Sequence, residues 1–256
     1  MNHDILQKLA VITPAYNEWD NLEVLAPEIV AQLSLFHPSS RWIVVSEANP
    51  DPDLASRLMT FSNQIRVFPR QASYETFADA IQLGLDEVQS DDDVVVFLDG
   101  DNSHDPRHIS LLAGVLRDRS EVDVVISSRY VTGGESDNPR ILRLMSMTLN
   151  VVYRLVLRLE ARDISTNYKA YRSNLIRGVK LRSRNFEAVE ELLLLAQFRK
   201  GSRLNMVEIP DHFRNRLHGE SKRRLAQFIG TYLISLWRLR RSLAKNNSAV
   251  RSDDCR

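Results

Sequence analysis

Cysteine, glycine and long apolar runs are scarce in this chain of 256 residues, and each shortage excludes a class of protein. One cysteine, Cys255, leaves no disulfide framework and no thiolate metal cluster. Nine glycines and nine prolines exclude a collagen-like or low-complexity chain. No apolar run reaches the roughly 20 residues of a membrane-spanning helix, and residues 1–8 lack the features of a signal peptide. We therefore expect a globular protein of a reducing compartment, without a leader or a membrane span.

Several nucleotide-binding and catalytic motifs are also missing. The turn after the first apolar run, residues 14–18, has no glycine, whereas a dinucleotide-binding fold needs G-x-G-x-x-G there. The phosphate loop G-x-x-x-x-G-K-[ST] and the hydrolase elbow G-x-S-x-G occur nowhere in the chain. A dinucleotide-dependent dehydrogenase, a P-loop enzyme and an α/β-hydrolase are therefore disfavoured.

The net charge of +1 is the sum of two halves of opposite sign. Residues 1–130 hold 9 Lys and Arg against 21 Asp and Glu, whereas residues 131–256 hold 25 against 12. Such an asymmetry indicates an anionic partner for the basic half.

Apolar strands alternate with amphipathic helices along the first half. The predicted strands are short apolar runs, and the segments between them repeat apolar residues near a 3.6 period. The strands fall at 9–13, 42–45, 65–68, 94–98 and 123–127, and the helices at 21–35, 53–61, 76–88 and 105–116, the last started by Asp105 and Pro106. This alternation predicts an α/β fold with a mostly parallel central sheet flanked by helices. In such sheets ligands bind at the carboxyl ends of the strands.

The second half is richer in helices. Predicted helices cover 140–159, 186–198 and 222–239, a strand covers 206–209, and a short polar and aromatic segment covers 163–171. Because no linker or repeat interrupts the chain, we predict one domain over residues 1–245 and a disordered polar tail over 246–256.

Two carboxylates follow the most apolar predicted strand of the first half. Asp99 and Asp101 flank Gly100, and the glycine would allow the backbone to turn so that both carboxylates face one cation. Oxygen ligands suit Mg²⁺ or Mn²⁺, and such an ion suits a diphosphate. An acidic turn before the next helix is the alternative. A zinc site at His104 and His108 is also conceivable, but the sequence supports no further acidic ligand, so polar residues at a helix start are favoured.

A dense cationic stretch, residues 214–224, lies in the basic half. Its Arg and Lys side chains suit the clamping of phosphate oxygens, and a solvated loop is the plainer alternative. No aromatic residues are interleaved for base stacking, so nucleic acid is not expected as a partner.

Five segments, in the expected order, resemble motifs of the dolichol-phosphate mannose synthase group of family 2 glycosyltransferases, which have the GT-A fold. They are P-A-Y-N-E at 14–18, D-G-D-N-S-H at 99–104, S-R-Y-V-T-G-G at 128–134, D-I-S-T-N-Y-K at 163–169, and E-I-P followed by F, R and G-E-S-K at 208–222. The resemblance extends over about residues 9–240, and the ordered set is more specific than any one motif.

The resemblance implies a nucleotide-sugar donor held over the sheet and a divalent ion that bridges its diphosphate. The implied donor contacts are Pro14, Tyr16, Glu18, Val45, Glu47, Gly100, Arg129, Arg216 and Lys222. The implied metal ligands are Asp99, Asp101 and Ser103, with Mg²⁺ or Mn²⁺ as cofactor, and the implied catalytic residues are Asp99, Asp101 and Arg216. An ion and fixed cations would stabilise the charge that develops as the nucleoside diphosphate departs.

The implied reaction is inverting transfer of a hexose, with GDP-mannose the favoured donor, to a polyprenyl or dolichyl phosphate. The segments 140–159 and 222–239 combine apolar faces with Arg and Lys, as helices at a membrane surface do, although core-facing helices show the same pattern. We expect a cytoplasmic enzyme, peripheral at the membrane face, with residues 1–130 holding the donor and 131–245 facing acceptor and membrane. A membrane-anchoring subunit is compatible with this arrangement.

Two segments depart from the family's pattern. Where the family has D-D-G-S-x-D-G-T, residues 46–53 read S-E-A-N-P-D-P-D. Where it has a glycine-rich stretch, residues 70–80 have no glycine, and Tyr74 and Phe77 would crowd the donor. These departures leave two alternatives open: a related transferase with a soluble acceptor, and a non-catalytic relative that binds nucleotide.

Overall fold

The computed structural model describes residues 6–71 and 76–215. Its strands are β1 (Leu9–Pro14), β2 (Arg41–Ser46), β3 (Ile65–Pro69), β4 (Val94–Phe97), β5 (Val124–Ser128), β6 (Glu135–Ser136), β7 (Lys169–Arg172), β8 (Met206–Pro210) and β9 (His212–Phe213). Its helices are α1 (Trp19–Leu33), α2 (Pro52–Thr60), α3 (Phe77–Asp86), α4 (His108–Asp118), α5 (Arg140–Leu157), α6 (Ser173–Ile176) and α7 (Ala188–Lys200). The predicted helix at 222–239, the tail at 246–256, Tyr74, Arg216 and Lys222 lie outside the described residues.

Seven strands form one sheet in the order β3-β2-β1-β4-β7-β5-β8, while β6 and β9 form a separate pair. The neighbours in the large sheet run parallel except at β7, which is antiparallel to both β4 and β5. The predicted α/β fold with a mostly parallel sheet is confirmed. The strand β7 carries no clear signal in the sequence, because its four residues, K-A-Y-R, form no apolar run.

The two faces of the sheet are buried by different helices. On one face, strand residues such as Ala10 and Ile12 pack with side chains of α3, α5 and α7. On the other, residues such as Leu9 and Val11 pack with α1, α2 and α4. Successive strand residues point to opposite faces, so the continuous apolar run of β1 is what a strand covered on both faces requires.

The predicted helix boundaries differ from the observed ones by up to three residues, and the local cause is clear at α4 and α5. The helix α4 begins at His108 and not near Asp105, because residues 106–107 form a turn in which the Asp105 carboxylate accepts from the backbone N–H of Arg107 at 3.0 Å. The helix α5 ends at Leu157, because the next residue, Arg158, has a φ of 56° and leaves the helical conformation.

The helix α5 is apolar on two sides. One side buries Asn150, Tyr153 and Leu157 against the core. The other side exposes a row of large apolar residues, here called the α5 stripe: Ile141, Leu144, Met147, Val151 and Leu155. Within residues 6–71 and 76–215, no helix is both long and apolar enough to cross a bilayer.

Candidate active site

Loops that follow three neighbouring strands meet at the carboxyl edge of the sheet. Because β1 lies between β2 and β4, the segments after these strands begin side by side. The backbone N–H of Ala15 donates to the carbonyl of Val45 at 2.8 Å. A Cβ atom on Gly100 would lie 3.2 Å from Cγ2 of Thr13. The structure therefore brings the predicted donor and metal residues of the first half to one edge.

Glu47 is held at this edge by two donors. Its Oε1 accepts from the indole Nε1 of Trp19 at 2.7 Å, and its Oε2 accepts from the backbone N–H of Asn17 at 3.2 Å. Asn17 has a φ of 58°, a left-handed conformation that asparagine adopts more readily than most residues. Asn17 in the turn before α1 and Trp19 at the start of that helix thus hold the Glu47 carboxylate, whose contact with the donor stays a prediction.

The other predicted donor contacts of this region differ in exposure. Pro14 ends β1, and the Tyr16 side chain is 53% exposed. The side chain of Val45 is buried in the core, so Val45 contacts the turn after β1 through its backbone carbonyl, which accepts from Ala15. The Glu18 carboxylate accepts from Nδ2 of Asn21 at 2.5 Å, within the first turn of α1.

Arg70 is a cation at this edge that the motifs did not identify. Its guanidinium carbon lies 5.4 Å from the centroid of the Tyr16 ring, and its Nε donates to the carbonyl of Ser46 at 2.8 Å. Arg70 is buried and directly follows β3. An arginine two residues after the predicted strand 65–68 is the sequence signal that would have found it.

The D-G-D turn is built around Asp101. Its Oδ1 accepts from the backbone N–H of Ser103 at 3.1 Å and from the Ser103 hydroxyl at 2.5 Å. The left-handed residue of the turn is Asn102, with a φ of 58°, whereas the φ of Gly100 is not positive. The expected role of Gly100 in a sharp reversal is therefore wrong, and a Cβ at this position would make a tight contact with Thr13.

The two carboxylates are held by different parts of the chain. Oδ1 of Asp99 accepts from Nδ2 of Asn167 at 2.9 Å, across a sequence separation of 68 residues. Asp101 is bound by its own turn through Ser103, which is fully buried. In this arrangement the Ser103 hydroxyl orients Asp101. The role of Ser103 as a metal ligand stays a prediction.

The donor set at this edge suits a hard divalent cation. Mg²⁺ is usually held by one or two carboxylates together with substrate phosphates, rather than by a full cage of protein ligands. Asp99 and Asp101 supply two carboxylates after β4. In the part of the chain that the structure describes, no three His, Cys, Asp or Glu side chains cluster around a possible metal position. The pair fits an ion that arrives with a diphosphate.

Arg129 is committed to a buried ion pair. Its Nε and one terminal nitrogen donate to the two oxygens of Asp163 at 2.8 and 2.7 Å, and its guanidinium carbon lies 5.0 Å from the Tyr130 ring centroid and 5.4 Å from that of Phe213. Burial opposes the charge of Asp163, but the Arg129 guanidinium outweighs it and lowers the pKa of that carboxyl. Burial likewise opposes the charge of Arg129, and Asp163 outweighs it, so the pKa of the guanidinium is raised. Contact of Arg129 with a phosphate stays a prediction.

His104 and His108 converge on Asp211 and form no zinc cluster. Nδ1 of His104 lies 2.5 Å from Oδ2 of Asp211, and Nδ1 of His108 lies 3.3 Å from Oδ1. Burial would raise the pKa of Asp211, but the two histidines outweigh it and lower that pKa strongly. The favoured expectation of polar residues at a helix start holds for His108, the first residue of α4. His104 instead ties the D-G-D turn to the segment after β8.

The basic stretch begins beside the D-G-D turn. The backbone N–H of Arg214 donates to the carbonyl of Ser103 at 2.8 Å, and an Arg214 terminal nitrogen lies 3.3 Å from Asp105. The structure thus places the first residue of the stretch 214–224 at the predicted metal site. The predicted phosphate contacts Arg216 and Lys222 lie outside the described residues.

The mostly parallel α/β sheet with a D-x-D turn at its carboxyl edge has the fold of GT-A glycosyltransferases. The model of the family described as glycosyl transferase family 2 matches residues 10–179. The chain belongs to this family, and the predicted family and fold are confirmed.

Curated relatives resemble most of this chain. A dolichol-phosphate mannosyltransferase of Pyrococcus furiosus is 31% identical over 91% of the chain, which spans 63% of the length of that relative. A polyprenol monophosphomannose synthase of Mycolicibacterium smegmatis is 29% identical over 96% of the chain and 92% of its own length.

Solved structures share the fold at low identity. Glucosyl-3-phosphoglycerate synthase of Mycobacterium tuberculosis, in complex with Mn²⁺, uridine diphosphate and phosphoglyceric acid, has a TM-score of 0.67 and 19% identity. The similarity covers 91% of this chain and 78% of that one.

Proposed function

We propose that this protein transfers a hexose from a nucleotide-sugar to a polyprenyl phosphate with the help of Mg²⁺ or Mn²⁺, and that GDP-mannose is the donor. The observation that carries the proposal is the meeting of Asp99, Asp101, Tyr16 and Glu47 at one edge of the sheet. The relatives described above, a dolichol-phosphate mannosyltransferase and a polyprenol monophosphomannose synthase at 31% and 29% identity, support the acceptor and the sugar.

The donor side of the site is built for binding and orientation. Tyr16 offers an exposed ring and Glu47 a fixed carboxylate, so these residues would hold the base and ribose of the donor. Asp99 and Asp101 would hold the divalent ion, with Ser103 beside them. When bound, that ion would supply positive charge against the diphosphate as it departs.

The acceptor is an anion that needs no base to activate it, because a phosphate monoester is already ionised near neutral pH. Arg214 lies at the D-G-D turn, and Arg129, Arg216 and Lys222 are the further cations proposed to meet phosphate oxygens. Fixed cations of this kind stabilise transferring or departing phosphate charge. We assign Arg216 a catalytic role on this ground.

The α5 stripe supports a position at a membrane surface. Its apolar residues are exposed along one side of the helix, and Arg143 and Arg154 are exposed beside them. An exposed apolar side flanked by basic residues is typical of helices that lie in the headgroup region of an anionic membrane. We therefore propose that residues 131–245 face the acceptor and the cytoplasmic membrane surface, and that residues 1–130 hold the donor.

A transfer assay tests the proposal directly. The full chain is incubated with radiolabelled GDP-mannose, Mn²⁺ and a polyprenyl phosphate in anionic vesicles, and labelled lipid is extracted. We expect transfer that needs the ion and is lost in Asp101→Asn. UDP-glucose and a water-soluble phosphate acceptor are run in parallel arms.

The arms separate the alternatives. Full activity on the soluble acceptor without vesicle binding would contradict the lipid acceptor. Absence of turnover with every donor, together with nucleotide binding that Asp101→Asn leaves unchanged, would contradict the enzyme and favour the non-catalytic relative.

A further inference from the structure

The turn at residues 163–169 contacts two charged groups of the candidate site, the guanidinium of Arg129 and the carboxylate of Asp99. Asp163 binds the guanidinium of Arg129 through two oxygens, and Asn167 donates from Nδ2 to Oδ1 of Asp99 at 2.9 Å. One short segment therefore sets the position of a cation and of a predicted metal ligand.

The backbone of this turn is anchored from β7 and β8. The Lys169 ammonium, fully buried at the start of β7, donates to the carbonyls of Ile164, at 2.9 Å, and Thr166. From β8, the Glu208 carboxylate accepts from the backbone N–H groups of Arg162 and Asp163 at 2.8 and 2.9 Å.

A third anchor comes from α5. Oδ1 of Asn150, a buried residue of that helix, accepts from the backbone N–H of Ser165 at 2.9 Å. Because carbonyls and N–H groups of the turn are both hydrogen-bonded, its backbone has little freedom to shift. The position of Asn167 relative to Asp99 is therefore fixed by this anchored backbone.

We propose that Asn167 is a positioning residue that orients the Asp99 carboxylate for a divalent ion. Asn167 is 9% exposed, and its amide hydrogen bond to Asp99 is partly buried. A donor on one carboxylate oxygen restricts rotation about the bond that carries the carboxylate and so directs the other oxygen. Hydrogen bonds of this kind to metal ligands typically change metal affinity by about 10- to 100-fold.

This inference rests on the proposed function, in which Asp99 holds the ion. It adds a residue to which none of the family motifs assigns a role, and it gives the segment D-I-S-T-N-Y-K a function in the site. The role is to prepare a ligand and not to contact the reacting atoms.

The test measures Mn²⁺ affinity of the full chain by the electron paramagnetic resonance signal of free Mn²⁺, with and without GDP. Asn167→Ala removes the donor, and Asn167→Leu removes it while keeping the branched shape and the number of heavy atoms. We expect both variants to bind Mn²⁺ about 10- to 100-fold more weakly than the unchanged chain. The matched control Asn63→Ala, at an exposed position before β3, is expected to bind as the unchanged chain does.

Transfer activity supplies a second measurement. Because a positioning residue acts through ion affinity, the rate of Asn167→Ala at saturating Mn²⁺ is expected to return to within about threefold of the unchanged chain. A rate that stays low at saturating Mn²⁺ would contradict the positioning role. Circular dichroism fixes a temperature at which every variant is folded, and all titrations are run there.

Two other outcomes separate the inference from the proposed function. If Asp99→Asn loses Mn²⁺ while both Asn167 variants bind within twofold of the unchanged chain, Asn167 has no positioning role and the proposed function stands. If the unchanged chain binds no Mn²⁺, or Asp99→Asn binds it equally well, the proposed metal site fails and the inference fails with it.

Discussion

Acidic residues at the two ends of the central sheet have different kinds of partner. At the amino end, Asp91 pairs with Lys8 at 2.9 Å and Asp92 pairs with Arg41 at 2.6 Å. At the carboxyl end, two acids assigned to the candidate site accept from neutral donors: the Asn167 amide binds Asp99, and the Trp19 indole binds Glu47. A salt bridge sets an opposite charge against the acid, whereas a hydrogen bond from a neutral donor orients the carboxylate without adding charge. The comparison favours a structural role for Asp91 and Asp92 at the amino end, and it supports the cation site that we propose at the carboxyl end.

The largest expected difference between the ends comes from one substitution made at both. Asp99→Asn removes a predicted metal ligand, and we expect transfer activity to fall at least ~100-fold because the ion stabilises departing charge by several kcal/mol. Asp91→Asn is expected to leave activity unchanged, since Asp91 is exposed at the opposite end. Steady-state kinetics of both variants measures the difference. Equal activities would remove the functional distinction between the two ends.

A substitution at the amino end is expected to lower stability and to leave activity unchanged, the opposite of what is expected at the carboxyl end. The Asp92 side chain is fully buried, so Arg41→Met leaves its charge without its closest cation. We expect the free energy of unfolding to fall by about 3 kcal/mol, measured by urea denaturation, with activity retained.

The control for this prediction is Lys180→Met, which breaks an exposed pair with Asp86. It is expected to lower the free energy of unfolding by less than about 1 kcal/mol. Similar losses in the two variants would show that burial of the ion pair makes no difference.

Lys169 is a fully buried cation near the carboxyl end of the sheet, at the start of β7. Burial lowers the pKa of its ammonium to about 8 from an ordinary value of 10.5. Between these values the unfolded chain binds more protons than the folded chain, so stability is expected to rise with pH from about 8 to 10.5. The difference in the free energy of unfolding between the unchanged chain and Lys169→Met, followed over this range, measures the effect. A difference that is flat with pH would contradict it.

The smallest expected effect concerns Glu47. Trp19→Phe removes the indole donor while preserving a buried aromatic side chain, so Glu47 loses one of its two supports. We expect the KM for the donor to rise about 3- to 10-fold with little change in kcat, because a hydrogen bond to a charged group contributes about 1.5–3 kcal/mol and less near the surface. Trp42→Phe removes a comparable bond to Thr13 inside the core, and should lower stability without raising this KM.

Local patterns in the sequence predict the strands of the sheet and the edge where the site lies. β1, β2, β4 and β5 contain continuous apolar runs rich in β-branched residues, which are typical of strands covered on both faces. Glu47 and Asp99 follow two of these strands. Because ligands bind at the carboxyl ends of strands in such sheets, these positions make both residues candidates for the site.

Contacts between distant segments were beyond the reach of those patterns. Asn167 and Asp99 are 68 positions apart, and Glu208 reaches the backbone of Asp163 over 45. Neither pair belongs to a periodic pattern of apolar residues, and the residues around neither pair have a composition that indicates the contact. The same holds for His104 and Asp211, which only the packed structure brings together.

The antiparallel direction of β7 has a consequence for how groups reach the site. In its ladders, Lys169 at the start of β7 lies opposite Phe97 of β4 and Ile126 of β5, both at or near the ends of those strands. The chain therefore enters β7 at the edge where its neighbours leave the sheet. If β7 ran parallel to them, the residues before it would lie at the far edge, beyond reach of Asp99. One reversed strand lets the sheet deliver side chains to the same place from segments that enter it as well as from segments that leave it.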